Sequence, residues 1–267
     1  MSNIWSYTFT FPDETDVLPN CLNSLSRCVN RIILVDGGMK HAFVHQTRNS
    51  LPTIDWLLEQ PEFDFLTYNP NLSIEGAWNG IPLTYMEHEY VDPGSQRNYI
   101  LGWIKEQELR PDWVVALDSD EVESNEAEQN LREYVENLPP FVTNVVQPLL
   151  NLVQDEKHSA AGHHSDWLAH SRLHRPDAVH YNLGYHEHQT YTGQRAQWSA
   201  RIIHQRMLYR RRIWQQRQAY TLRSAWDDVQ MVDVPPGVTW HPLRWPETEV
   251  IIPFDADIRT YDGGKFA

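Results

Sequence analysis

Apolar residues recur along this chain in two rhythms. Some form short unbroken runs that stop abruptly at acids, and others return every third or fourth position. The clearest run is Trp113-Val114-Val115-Ala116-Leu117, which ends at Asp118-Ser119-Asp120-Glu121. Val114 to Leu117 do not alternate with polar residues, so they read as a strand covered on both faces, the pattern of a central strand in a parallel sheet. Arg31-Ile32-Ile33-Leu34-Val35 gives a second buried strand, closed by Asp36-Gly37-Gly38. Trp5 to Phe11, rich in aromatic and β-branched residues, supplies another, ahead of the interruption at Pro12 to Asp16.

The helical rhythm is plainest at Val17, Leu18, Cys21, Leu22, Leu25 and Cys28, with Asp16 available as N-cap. A weaker helix around Ile54 to Gln60 leads to a short strand, Phe63 to Thr67. Asn69 to Asp92, rich in Asn, Pro and Gly, reads as irregular. Ser95 is placed to cap a helix from Gln96 to about Glu108, with Ile100, Trp103 and Ile104 on its buried face. That helix delivers the chain into the acidic strand end. Val142 to Leu152 reads as one more strand, followed by a His-rich irregular part, an Arg-rich helical part and an extended tail from Val232. Alternating strands and helices over the first half predict an α/β fold with a parallel sheet and right-handed crossovers.

The chain's 267 residues suffice for one large α/β domain with a substantial core. No basic flank followed by an apolar stretch opens it, and no segment approaches the ~20 apolar residues that span a bilayer. The expectation is a soluble, cytoplasmic protein without a transmembrane segment. Cys21 and Cys28 fit that setting as buried thiols within a helical pattern. A net charge of -14 argues against broad attraction to nucleic acid or anionic lipid. The charge is unevenly placed, however. Asp112 to Pro140 holds nine acids against one base, Arg132, whereas Gln189 to Trp226 holds eight arginines and no acid. Nine of the thirteen histidines lie between His158 and His204.

The acids after Leu117 stand where open α/β sheets place ligands, at the carboxyl end of a strand. Asp118 and Asp120, one residue apart in a turn, offer hard oxygen ligands to Mg²⁺ or Mn²⁺, whose other positions go to water and a substrate's phosphates. A third ligand from a later histidine suits Mn²⁺. His204, which follows Ile202-Ile203, is preferred to His186. Asp255-Ala256-Asp257 also ends an apolar run, but only about ten residues remain after it and no helix follows.

Several short motifs occur in a telling order: Asp13-Glu14 before the first helix, Arg31 to Gly38, Arg97-Asn98 opening the helix before the acidic site, and Leu117 to Glu121. Gly184-Tyr185-His186-Glu187 and Ile202-Ile203-His204 come later. With these the chain, over roughly Trp5 to Tyr220, resembles the family 2 glycosyltransferases with the GT-A fold. The resemblance implies an α/β, Rossmann-like, mostly parallel central sheet flanked by helices, with a His/Arg-rich C-terminal extension. It implies a catalytic domain over residues 1–225, with a nucleotide-sugar half at about 1–122 and an acceptor half at about 123–225, and an extended tail over 226–267.

The implied activity is metal-dependent, inverting transfer of a sugar from a nucleotide-diphosphate sugar to a hydroxyl-bearing acceptor. Glu14 and Asp36 would hold the nucleoside, since carboxylates at strand ends accept hydrogen bonds from ribose or base. Arg97, Asp118 and Arg201 would contact the donor, and Asp118, Asp120 and His204 would hold Mn²⁺ or Mg²⁺. Glu187 would take the acceptor's proton, with His186 or His188 orienting or replacing it. Glu121 is left to position the turn. Where the family carries Ser and Asp after its nucleoside aspartate, this chain has Gly37-Gly38-Met39-Lys40, which leaves the nucleotide open. The acceptor is a glycan or lipid-linked saccharide, or alternatively a polyanion, a hydroxylated nucleic-acid base whose backbone the arginines would track. A nucleotidyltransferase and a non-catalytic nucleotide-sugar-binding module are the competing classes. The sugar and the oligomeric state are not written in any motif.

Overall fold

The structure, a computed structural model, describes residues 1–10, 15, 17–36, 53–69, 73–87, 93–153, 156–160, 171–182, 189–207, 231–244, 261–262 and 265–266. The chain opens with β1 (Ile4–Thr10), α1 (Leu18–Cys28) and β2 (Arg31–Asp36). Next come α2 (Thr53–Glu59), β3 (Phe63–Asn69), β4 (Ser73–Trp78) and β5 (Ile81–Glu87). α3 (Pro93–Glu106) leads into β6 (Trp113–Asp118), β7 (Glu121–Glu123) and α4 (Asn125–Glu136). β8 (Val142–Val146), β9 (Leu149–Val153) and β10 (His158–Ala160) follow, then β11 (Leu173–His174), β12 (Val179–Tyr181) and β13 (Gln189–Tyr191). β14 (Gln194–Gln197), β15 (Ile202–Met207) and β16 (Met231–Asp233) follow, and β17 (Tyr261–Asp262) and β18 (Lys265–Phe266) pair only with each other.

Nine strands form the main sheet, in the order β14-β8-β11-β6-β1-β2-β5-β4-β3. The four at its centre, β6, β1, β2 and β5, are mutually parallel. Followed through the remaining pairings, seven of the nine strands point the same way, and only β4 and β11 are reversed. The expected mostly parallel α/β sheet is therefore present. Its central strands are apolar at successive positions because both faces are covered. Ile32, Leu34, Val115 and Leu117 pack with Leu18, Leu22 and Leu25 of α1 and Leu131 of α4. Ile33, Val35, Val114 and Ala116 pack with Ile100, Leu101 and Ile104 of α3. Burial of each such side chain stabilises by roughly 1.5–3 kcal/mol.

A second sheet, ordered β16-β10-β9-β15-β7, begins where the first ends. The chain leaves the main sheet at Asp118 and enters the second at Glu121, so the acidic turn lies at the junction of the two. Residues 231–244 belong to this region as well. Met231–Asp233 pairs with β10, Leu243 enters the small core of Val17, Val122, Leu150 and Ile203, and the Arg244 backbone N–H donates to Asn20 Oδ1.

Several local expectations are corrected. Asn69 to Asp92 is not irregular, since it carries the β4–β5 hairpin. Asn79 and Gly80 form its two-residue turn with φ of 49° and 79°. Positive φ at both central positions matches the right-handed twist of the strands, which is why Asn-Gly is favoured there. Val142 to Leu152 is two strands in two sheets, separated at Gln147-Pro148, because proline has no N–H to continue a ladder. α3 begins at Pro93, so Ser95 lies inside the helix rather than capping it. The N-cap of α1 is Val17, without a side-chain capping bond. Asp16 lies outside the described residues. Among the described residues, no helix is long and apolar enough to cross a membrane.

Candidate active site

The parallel centre of the sheet brings three strand ends together. Phe9 of β1 is level with Asp118 of β6, and Thr10 is level with Asp36 of β2. Asp36 and Asp118 thus flank the end of β1 with two strand spacings between their backbones, about 10 Å. Asp36 is buried and accepts a hydrogen bond from the Tyr85 hydroxyl at 3.0 Å. Burial, and then the charge of Asp36, push the Tyr85 phenol well above its ordinary value, so it stays a donor.

Asp118 is held from both sides by arginine. Arg97, from the first turns of α3, donates from Nη2 to Oδ1 at 2.7 Å. Arg172, just before β11, donates from Nη2 to Oδ2 at 2.9 Å and to Glu121 Oε1 at 2.7 Å. Both guanidiniums are almost wholly enclosed, at 1% and 3% side-chain exposure. Arg97 also lies over the rings of Phe9 and Tyr181, 4.6 and 5.5 Å from their centroids. Burial around Asp118 would raise its carboxyl, but Arg172 and Arg97 outweigh it and hold the group well below the usual carboxylate range. Asp118 therefore stays ionised.

Glu121 receives a definite role. One of its oxygens takes Arg172, and the other accepts the Asp118 backbone N–H at 3.0 Å, closing the acidic turn on itself. At 1% side-chain exposure, burial pushes its carboxyl up to about 7 despite the neighbouring guanidinium. The turn is fastened further where Ser119 N–H donates to Phe9 O and Gln205 N–H to Asp120 O.

Asp120 points the other way, towards the second sheet. Its Oδ2 is 3.5 Å from Nε2 of His204. β15 runs antiparallel to β7, with His204 level with Glu121, and this pairing delivers the histidine to the turn. On the other flank β15 is parallel to β9, which sets His204 beside Asn151. His204 Nδ1 and Asn151 Oδ1 are 2.5 Å apart. With the amide oxygen facing the ring, Nδ1 donates to it, and Nε2 is the ring atom nearest the Asp120 carboxylate. Two electron-rich donors facing one point suit a cation or a proton between them. A carboxylate and an imidazole are an acceptable donor pair for Mn²⁺. Their spacing also suits adjacent ligands on one ion at about 2.1 Å each. Among the described residues, no three His, Cys, Asp or Glu side chains form a complete cation site.

Of the residues singled out in the sequence, Arg97, Asp118, Asp120 and His204 come together here, with Asp36 on the neighbouring strand end. Arg201 lies three residues before His204, just ahead of β15, about 10 Å away. Its backbone exchanges hydrogen bonds with Ser124 at the start of α4. Glu14, His186, His188 and Glu187 lie outside the described residues, as do Asp255, Asp257 and the Arg210 to Arg212 run. Sequence reasoning missed Arg172 and Asn151, and no motif marks either. The expected free thiols are present, with Cys21 and Cys28 both buried.

No protein-family model matches the chain, and no curated protein sequence matches it. Among solved structures, it is similar to TarS 1–349 from S. aureus, at 12% identity and a TM-score of 0.38, over 65% of this chain and 47% of that one. The same fragment in complex with UDP-GlcNAc gives a TM-score of 0.39 at 12% identity, over 65% of this chain and 45% of that one. HddC from Yersinia pseudotuberculosis gives 0.42 at 12% identity, over 76% of this chain and 93% of that one. The chain thus spans less than half the length of the TarS fragment.

Proposed function

We propose that this protein is a glycosyltransferase that moves a sugar from a nucleotide-diphosphate sugar to a hydroxyl acceptor, aided by a divalent cation. The observation that carries the reading is one turn with two differently equipped carboxylates. Asp118 is neutralised by two buried arginines, while Asp120 shares its outward side with His204. The first carboxylate stays ionised as a hydrogen-bond acceptor for donor hydroxyls, and Asp36, about 10 Å away across the strand ends, meets the nucleoside. Asp120 and His204 would hold Mn²⁺ or Mg²⁺, with water and the diphosphate as the remaining ligands. Once bound, the ion would offset the negative charge of the diphosphate.

In the reaction, the acceptor oxygen forms its bond to the anomeric carbon as the bond from that carbon to the diphosphate oxygen breaks. The electron pair leaves with the nucleoside diphosphate. The acceptor proton passes to a base, for which Glu187 is our choice and His186 the neighbour able to orient it. Arg97 and Arg172 are fixed, enclosed cations beside the leaving group, and preorganised charge of this kind costs no rearrangement as the transition state forms. The test is a screen of nucleotide-diphosphate sugars for Mn²⁺-stimulated release of nucleoside diphosphate, beside Asp118→Ala and Asp120→Ala. We expect release from at least one donor and its loss in both variants. No release from any donor, or full release in both variants, overturns the reading.

A further inference from the structure

A short run of hydrogen bonds joins Asp120 and His204 to the segment that ends at Arg244. Gln205, next to His204 on β15, donates its backbone N–H to Asp120 O at 2.8 Å. Successive side chains of a strand point to opposite faces, so His204 turns to Asp120 while Gln205 turns to α1. There Asn20, in the first turn of α1, donates from Nδ2 to Gln205 Oε1 at 2.7 Å. Both side chains are enclosed, with Asn20 at 6% and Gln205 at 0% residue exposure.

The other contacts of Asn20 go to the backbone of Arg244. Its Oδ1 accepts the Arg244 N–H at 2.7 Å, and Nδ2 also donates to Arg244 O at 3.2 Å. An amide that meets both backbone groups of one residue acts as a strand partner would, and fixes that residue along the chain as well as across it. Apolar packing follows the same line. Leu243 shares a small core with Val17, the N-cap of α1, with Val122 of β7 and with Ile203 of β15. Ile203 and Gln205 lie on one face of β15, and His204 lies on the other. Leu243 and Arg244 therefore bear on β15 from behind the histidine, by packing through Ile203 and by hydrogen bonds through Asn20 and Gln205.

From this geometry we infer that Asn20 is a positioning residue for the divalent cation, and that the segment ending at Arg244 is part of the frame of that site. Asn20 holds β15 where His204 Nε2 stands 3.5 Å from Asp120 Oδ2. It acts through Gln205 and supplies no ligand itself. The inference rests on the cation-aided transfer reading above.

The experiment titrates Mn²⁺ alone, by calorimetry, into wild type, Asn20→Ala, Gln205→Ala, the double variant and Arg244→Ala. Asn20→Ala should raise the Mn²⁺ Kd about 10-fold, the lower end of what the outer partners of a metal ligand supply. Gln205→Ala keeps its backbone bond to Asp120 and should lose a similar amount. Because both side chains act through one bond, the double variant should bind within about twofold of the weaker single variant. Arg244→Ala removes the ion pair with Glu62 but keeps the backbone grip, so its Kd should stay within about twofold of wild type. Linkage is reciprocal, so saturating Mn²⁺ should slow hydrogen exchange at the Arg244 amide of wild type about 10-fold, read by mass spectrometry. That measurement decides the matter if the Asn20 variant does not fold. Wild-type affinity in Asn20→Ala, additive losses in the double variant, an equal loss in Arg244→Ala, or exchange unaltered by Mn²⁺ overturns the inference. A wild-type protein that binds no Mn²⁺ overturns the parent reading instead, so the two failures are distinguishable.

Discussion

Glu123, two residues beyond Glu121 on β7, is the sharpest test of how burial governs this protein's electrostatics. Its side chain is enclosed, at 1% residue exposure. It accepts from Gln147 Nε2 at 3.0 Å, and among the described residues no arginine or lysine forms an ion pair with it. Burial pushes its carboxyl up to about 8. The Gln147 hydrogen bond works against this, and the charges of Glu128 and Glu121 add to it. Among the described residues, Oε1 of Glu123 and Oε1 of Gln147 are both buried without a hydrogen-bond partner. A proton on Glu123 adds a donor that the ionised carboxylate lacks. The folded protein therefore keeps Glu123 neutral up to about pH 8, while the unfolded chain releases the proton near 4.5. Stability from this group is full below about pH 4.5, declines as pH rises towards 8, and changes no further above. The slope is about 1.4 kcal/mol per pH unit, about 5 kcal/mol over the whole window.

Glu123→Gln removes the titration and keeps the shape, and the new amide offers both a donor and an acceptor to Gln147. Urea unfolding of both proteins at intervals from pH 5 to pH 9 should show similar stability at pH 5. From there the variant should gain on wild type at up to about 1.4 kcal/mol per unit, levelling off near pH 8. Glu121 and Glu128 are raised too, by burial first, so wild-type stability falls with pH for more than one reason. The difference between the two proteins isolates Glu123. A difference that does not grow with pH refutes the argument.

Three further outcomes follow from particular contacts. Arg172→Met leaves the enclosed Glu121 without its guanidinium and the one-third-exposed Asp118 with Arg97, and should destabilise by about 1–3 kcal/mol at pH 7, read from urea midpoints; a stability equal to wild type contradicts the role given to Arg172. Asn151→Ala frees Nδ1 of His204 and should weaken Mn²⁺ binding about 10- to 100-fold by calorimetry, whereas an unchanged affinity removes His204 from the ion's ligands. Gly80→Ala meets no neighbouring atom within 4 Å and is penalised only by its φ of +79°, so it should cost about 1–2 kcal/mol in unfolding and leave donor binding unchanged.

What the sequence makes legible is what repeats locally. Ile32 to Val35 and Val114 to Leu117 are apolar at consecutive positions because helices cover both faces, and no other arrangement of a short strand needs that pattern. The strand ends follow, and with them the neighbourhood of Asp36 and Asp118. The β4–β5 hairpin was equally legible, since Asn79-Gly80 between Trp78 and Ile81 is a strong turn signal. The Asn, Pro and Gly content of residues 69–92 obscures it. The second sheet is another matter. Its strands come from five separated parts of the chain, and β7 is only Glu121-Val122-Glu123. No periodicity survives in three residues, two of them acids, whose burial depends on partners far along the sequence.

Arg172 shows how far electrostatic reasoning extends beyond pattern. Asp118, Asp120 and Glu121 occupy one turn at a buried strand end, and an ionised carboxylate enclosed there without a cation would cost several kcal/mol. A strand end of this kind requires counter-charge, and the pairing of Arg97 is with Asp118, not Glu121. Given the enclosure of Glu121, which tertiary packing sets, the need for a further counter-charge follows from these acids. Its identity does not, because the contact joins positions 172 and 118 through the reversed strand β11. The register that sets Leu173 opposite Val115 is fixed by tertiary packing, not by any local rule. Once that register exists, Ala116 N–H donates to Arg172 O at 2.7 Å, and the guanidinium is committed to the acidic turn two residues farther along β6. Glu121 is thereby partnered, Asp118 is held ionised, and Asp120 faces His204 at 3.5 Å.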